Sequence, residues 1–233
     1  MNSFTFNGKS STSFNIKVEK CPNYGVPNRV VETISVMGRN GDLVLDTGAY
    51  NNVEQIYSIY FNAKSTSFQT EAHKVAMWLN GSRGYCRLTD TYDPTVYRMA
   101  LMSSYTEYKN FLNYMGRADV IFNCKPQRFL LTGETETTLT SGTTVTNNYM
   151  PCYPIFTVRG NGTLTVAGNS IVISNNSNQN MTIDCETQNA YTGTTNRNAD
   201  IVVSGEFPFL ASGNNTVTFS NTSCKMIPRW WTL

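Results

Sequence analysis

A single histidine, His73, stands in 233 residues, so the chain is nearly without the commonest acid–base and zinc-binding side chain. The six cysteines, Cys21, Cys86, Cys124, Cys152, Cys185 and Cys224, include no close pair, which removes the spacing a structural zinc site needs. No P-loop, GxGxxG, GxSxG or HExxH pattern occurs, so the usual fingerprints of nucleotide binding and of hydrolase or metalloprotease chemistry are missing. No run of 18 apolar residues is present, which argues against a membrane-spanning helix. The opening MNSFTFNGKSSTSF has neither the basic start nor the apolar stretch of a secretory signal. The expectation is a chain made in a reducing cytoplasm, with reduced and mostly buried cysteines. A net charge of +2 singles out neither nucleic acid nor a membrane surface as partner. No cofactor and no metal are expected.

What is present is unevenly distributed. Residues 1–130 carry 14 Lys/Arg and 10 Asp/Glu, net +4, whereas residues 131–233 carry 4 and 6, net −2. The second stretch is also 42 of 103 residues Ser, Thr or Asn, which places a domain boundary between residues 131 and 132. The fold class expected is mainly β in two domains, residues 1–131 and 132–233. The first reads as short strands at residues 3–18 around Asn7-Gly8, a loop with Pro22, Gly25 and Pro27, and strands near 29–36, 53–61, 85–88, 97–101 and 118–124. Residues 105–115 are ambiguous between strand and helix. One helix is expected over residues 70–80, with Thr70 as cap and Ala72, Val75, Ala76 and Leu79 as its apolar stripe, widened by Trp78. Residues 132–148 read as a linker or exposed strands. From residue 153 onward, short β-like segments alternate with Gly/Asn turns, which suggests a β-sandwich.

The most informative segment is TISVMGRNGDLVLDTGAYNN, residues 33–52. Asn-Gly is the strongest short hairpin signal. With Asn40 and Gly41 as a two-residue loop, Arg39 faces Asp42, Met37 faces Val44, and Val36 faces Leu45. Ile34, Val36, Leu43 and Leu45 then share one face, and Met37 and Val44 the other. A hairpin on a sheet normally keeps one wet face. Apolar residues on both faces imply either a core element or an arm that docks on something else.

Other candidates for chemistry are weaker. His73 falls on the flank of the helix stripe and reads as a surface residue. Asp90 and Asp93 flank a turn, where Asp bonds the local backbone; Asp184 and Glu186 are expected on one face of a strand. Either pair would suit a metal or an acid/base role only with further ligands. The Asn-X-Ser/Thr sites at Asn80, Asn161, Asn175, Asn180, Asn214 and Asn221 follow from Asn/Thr-rich turns. Trp230 and Trp231 are adjacent, so at most one is expected in a core, leaving the other for a partner or a sugar.

Several blocks together carry a family resemblance: FTFNGKSSTSFNI, GRNGDLVLDTGAYNN, the helix ending in WL, the Asp-Pro turn before YRMAL, VIFNCKP, YPIFTVRGNG, MTIDCET, GEFPFLASGNNTVTF and the terminal IPRWWTL. In this order they resemble the distal tail protein family of long-tailed, non-contractile bacteriophages, over nearly the whole chain. The resemblance implies a non-enzymatic virion protein, made in the host bacterial cytoplasm and placed at the distal end of the tail. Its N-terminal domain would be a sandwich or barrel-like element of a homo-hexameric ring, through which DNA passes without sequence recognition. Its C-terminal domain would be a galectin-like β-sandwich. The implied partners are the major tail tube or tail terminator-side proteins above, the tail-tip hub or tail-associated protein below, and receptor-binding or baseplate proteins outside. The family's hairpin arm, which reaches a neighbouring subunit, corresponds here to Val36, Met37, Arg39, Asn40, Gly41, Asp42, Leu43, Val44 and Leu45. The alternative function is a carbohydrate-binding module or adhesin for cell-wall glycan, using Trp230 or Trp231.

Overall fold

Alternation of apolar and polar residues builds the first set of strands: β1 (Phe4–Phe6), β2 (Lys9–Ser10), β3 (Ile16–Val18), β4 (Arg29–Ile34), β5 (Leu43–Tyr50), β6 (Val53–Asn62), β7 (Cys86–Asp90), β8 (Val96–Tyr105), β9 (Lys109–Asn110) and β10 (Met115–Leu130). One helix, α1 (Phe68–Asn80), lies among them. The computed structural model describes residues 2–62, 68–105, 109–110, 115–176 and 179–233. It divides into two compact units, Met1–Arg128 with Leu233, and Phe129–Thr232. Most of the ambiguous stretch 105–115 lies outside the described residues.

In the first unit, all of these strands except β4 and β5 form one sheet in the order β2-β1-β7-β8-β10-β6-β3, with β9 also on β10. Asn7 and Gly8 both take positive φ, 50° and 74°, the requirement of a type I′ turn, and close the tight pair in which Phe6 faces Lys9. Phe14, expected in a strand, instead ends a short 3-10 turn, Ser11–Phe14. In β6 the inward residues are Val53, Gln55, Tyr57 and Ile59, a strict period of two, while Ile56 faces out. The apolar residues alone disguise this period because a glutamine and a tyrosine hold two of the inward places.

The helix begins at Phe68, so Thr70 is inside it rather than capping it. Its Val75, Trp78 and Leu79 are buried on the sheet beside Phe4, Phe6, Val120 and Phe122. Trp78 is stacked between Phe14 (4.4 Å) and Phe4 (5.7 Å) and donates its Nε1–H to the Phe6 carbonyl at 3.2 Å. Full burial of each such side chain is worth about 1.5–3 kcal/mol, so this cluster fixes which face of the sheet is dry.

The second unit holds β11 (Thr137–Leu139), β12 (Thr143–Asn147), β13 (Ile155–Arg159), β14 (Gly162–Val166), β15 (Asn169–Ile173), β16 (Asn180–Asp184), β17 (Asn189–Thr192), β18 (Thr195–Asn196), β19 (Ile201–Ser204), β20 (Gly213–Phe219), β21 (Ser223–Ile227) and β22 (Trp231–Thr232). All but β22 make two sheets, β11-β21-β13-β16-β17-β18 and β12-β20-β14-β15-β19. Phe156, Val158, Met181, Ile183 and Met226 of the first sheet meet Leu164, Val166, Ile171, Ile173 and Val217 of the second in one buried layer, which is a β-sandwich. The Thr-rich stretch supplies the edge strands β11 and β12, where Thr suits a half-exposed pleat.

Candidate functional site

Strands β4 and β5 pair only with each other among the described residues. Their hairpin leaves Val30, Val31, Ile34, Leu43, Val44 and Leu45 all exposed, Val44 at 57%. At the tip, Val36 is 42% exposed and Met37 is fully exposed. Such a run of uncovered large apolar side chains on one element is the signature of an interaction surface rather than of a core element.

The register differs from the sequence expectation. Ile34 faces Leu43, Thr33 faces Val44, Glu32 faces Leu45 and Val31 faces Asp46. The pairs Arg39–Asp42, Met37–Val44 and Val36–Leu45 are therefore not formed, and Val36, Met37, Arg39, Asn40, Gly41 and Asp42 belong to a wide loop. The turn is made at Val36–Arg39, where Arg39 N–H donates to the Val36 carbonyl at 3.1 Å and Gly38 takes φ 81°. Gly41 is left-handed at 81°, but Asn40 is not, so Asn-Gly does not build a type I′ turn. The displacement is four residues, an even number, so Ile34, Leu43 and Leu45 keep a common face and Val44 keeps the other.

The register is pinned at the root. Arg29 is paired with Asp46, and its guanidinium lies 5.7 Å from the Tyr50 ring. The Thr47 hydroxyl donates to the Val30 carbonyl at 3.0 Å, and Asn51 N–H to the Asn28 carbonyl at 2.9 Å. A bulge in β5 with Gly48 at φ 73° separates the Val31–Asp46 pair from the Arg29–Tyr50 pair. The Gly48 N–H bond holds the Asp46 carboxyl below its ordinary value against a burial effect, and Arg29 beside it adds to the lowering.

The remaining candidates are placed as follows. His73 is exposed on α1. Asp90 accepts the backbone N–H groups of Tyr92 and Asp93 at 2.9 Å each, and Asp93 is paired with Arg128, so the two carboxylates serve a turn and an ion pair. Burial, with Asp90 next, pushes the Tyr57 phenol upward. Asp184 ends β16 and Glu186 lies beyond it, not on the same strand face. Both converge on Arg229, whose Nη1 and Nη2 reach the Asp184 oxygens at 2.7 and 2.8 Å and whose Nη1 lies 3.1 Å from Glu186. Burial alone would raise Asp184, but the Arg229 hydrogen bonds and charge, with the N–H groups of Thr187 and Glu186, hold it below the usual carboxylate range. Cys124, Cys152, Cys185 and Cys224 are buried, and burial pushes each thiol up to about 12, which leaves little thiolate for reaction. Among the described residues no group of three or more His, Cys, Asp or Glu is disposed to hold a metal, and no helix is long and apolar enough to cross a membrane.

Trp230 and Trp231 depart from the expectation of one in and one out. Both are half-buried and pack on the core of the second unit. Arg229 takes φ 58°, which interrupts strand alternation, and the chain is then held from two sides: Leu130 N–H donates to the Trp230 carbonyl at 2.9 Å and Met150 N–H to the Trp231 carbonyl at 3.2 Å. The Trp231 Nε1–H donates to the Pro151 carbonyl at 2.9 Å. Gly133 packs so closely that a Cβ there would lie 2.4 Å from the Trp230 nitrogen, a contact no motif in the sequence announces.

No protein-family model matches the chain, and no curated protein sequence does. Solved structures do. The crystal structure of the SPP1 Dit (gp 19.1) protein, described as a paradigm of the hub adsorption apparatus in phages infecting Gram-positive bacteria, matches with a TM-score of 0.74 at 12% identity, covering 97% of each chain. A chain of the phage P2 baseplate in its activated conformation with Ca matches with a TM-score of 0.54 at 10% identity, again over 97% of both chains. The same baseplate with Sr gives 0.53 at 10% and the same coverage. The chain thus shares, along its length, the fold of a phage distal tail protein and a baseplate component. This fold agrees with the family resemblance carried by its sequence blocks.

Proposed function

We propose that this chain is a structural virion protein, the distal tail adaptor of a long-tailed, non-contractile phage. Six copies close a ring through the first unit. The ring joins the tail tube to the tail-tip hub, and the second unit offers docking for receptor-binding or other baseplate proteins. The observation that carries this reading is the hairpin β4–β5, with apolar side chains exposed on both faces. In a ring, one copy's arm laid on the next is a heterologous contact that ends only when the rotation closes. The fold shared with the SPP1 and P2 proteins supports the same reading. The reading carries no enzymatic activity, and it places the protein in the virion after synthesis in the host cytoplasm.

The glycan-binding alternative gains nothing from the geometry: both tryptophans pack on the core, and the Trp231 N–H is engaged. The test is the mass of the purified chain by sedimentation over a wide concentration range, together with electron microscopy of tail tips. Six-fold rings at the tube end are expected. A strict monomer in solution and no density for this chain at the tail tip would overturn the reading.

A further inference from the structure

The arm is free at its tip but fastened at its root by side chains remote from it in sequence. Tyr24, in the loop between β3 and β4, sets its hydroxyl 2.9 and 3.0 Å from the two oxygens of Asp90. Asp90 is itself fixed by the N–H groups of Tyr92 and Asp93, and the Tyr57 hydroxyl donates to it at 2.7 Å. The Tyr24 ring lies 6.0 Å from the Arg98 guanidinium and 5.6 Å from that of Arg128. Arg98 is only 5% exposed, and Arg128 is tied to Asp93. Around this pivot Pro22 and Pro27 are buried, Gln55 Nε2 donates to the Asn23 carbonyl at 3.4 Å, and Gly25 presses on Val53, whose Cγ1 a Cβ would approach to 2.7 Å. In the connection between β5 and β6, Asn52 Nδ2 donates to the Tyr85 hydroxyl at 2.6 Å.

A protruding hairpin that swings freely must lose that freedom on docking, and the loss opposes association. A root held in place before docking removes much of it. We infer that Tyr24 and Asp90, with the Arg98 and Arg128 guanidiniums near the Tyr24 ring, form a clasp that presets the direction of the arm and so acts as a positioning device for ring closure; this rests on the ring reading above. Tyr57 shares the same carboxylate but belongs to the sheet, so it separates a positioning role from a merely structural one.

The experiment compares full-length wild type with Tyr24→Phe, Asp90→Asn and Tyr57→Phe, using amide hydrogen exchange of the dilute chain and sedimentation. In Tyr24→Phe, exchange over residues 20–34 should quicken about tenfold while β10 is unchanged. The concentration for half-assembly should rise about tenfold. Asp90→Asn should move both readouts in the same direction and serves if Tyr24→Phe does not fold. Tyr57→Phe should lower the unfolding temperature while leaving root exchange and assembly as in wild type. Unchanged root exchange in both clasp variants, or faster root exchange with unaltered assembly, would overturn the clasp. If wild type never assembles and tail tips show no density for this chain, the ring reading fails, and root exchange alone still decides whether Tyr24 holds the arm.

Discussion

Strands β5 and β15 are built from the same kind of residue and end in opposite environments. In β15, Ile171 and Ile173 are fully buried and only Val172 is exposed, at 46%. In β5, Leu43, Val44 and Leu45 are exposed at 36%, 57% and 45%. β15 lies between β14 and β19 with a second sheet over its inner face, whereas β5 pairs with β4 alone among the described residues. A run of apolar residues therefore makes a strand in either place, but burial depends on what else the chain delivers to each face. Ion pairs divide in the same way. Arg229–Asp184 has side chains 24% and 10% exposed, whereas Arg29–Asp46 has 59% and 34%.

The largest test of this contrast is Phe156→Ala, in the sandwich core. It should lower unfolding free energy by about 3–5 kcal/mol in chemical denaturation, whereas Leu45→Ala in the arm should stay within about 0.5 kcal/mol. A comparable loss from Leu45→Ala would mean the arm is packed in solution.

Next is Arg229→Ala, which leaves Asp184 without its bidentate partner and should cost about 2 kcal/mol at neutral pH. Arg29→Ala should leave the unfolding midpoint where it is. The folded pKa of Asp184 lies below its unfolded value, so its contribution is present above the ordinary carboxylate range and lost as pH falls through the folded value. The gap between wild type and Arg229→Ala should therefore narrow on acidification below about pH 4, the ordinary carboxylate value. A gap that is constant down to pH 2 would assign the loss to packing instead.

Val44→Asp should raise the concentration for half-assembly about tenfold or more, a difference of about 1.4 kcal/mol, while the monomer unfolds as before. Unfolding together with lost assembly would show that this face is ordinary core.

The smallest effects concern two of the chain's four Asn-Gly pairs, Asn7-Gly8 and Asn40-Gly41. Asn7→Ala forces alanine into a left-handed turn and should cost about 1 kcal/mol, whereas Asn40→Ala should cost less than about 0.5 kcal/mol. Equal losses would mean that Asn40-Gly41 forms the tight turn after all.

Those two dipeptides show why part of the fold was legible. Asn7-Gly8 closes a turn as its residues suggest, because β1 is already aligned on β7. Asn40-Gly41 does not, because a hairpin with both faces uncovered has a weakly specified register, and the root contacts decide it. The helix stripe Val75, Trp78 and Leu79 was readable from its spacing, and so was the succession of short strands from residue 153 onward. The inward face of β6 was not, since Gln55 and Tyr57 hold core places that an apolar count passes over.

The sequence by itself determined what is local or periodic: strands where β-branched residues alternate, one amphipathic helix, the Asn7-Gly8 turn, and the lack of any zinc or nucleotide motif. It also determined that the arm carries apolar residues on both faces, since an even shift in register preserves them. Only the tertiary structure decided that none of the described residues covers those faces, and that Asp184 meets Arg229 and Tyr24 meets Asp90. These contacts join residues 45 and 66 positions apart, and periodicity within one segment holds no information about which distant segment will lie beside it.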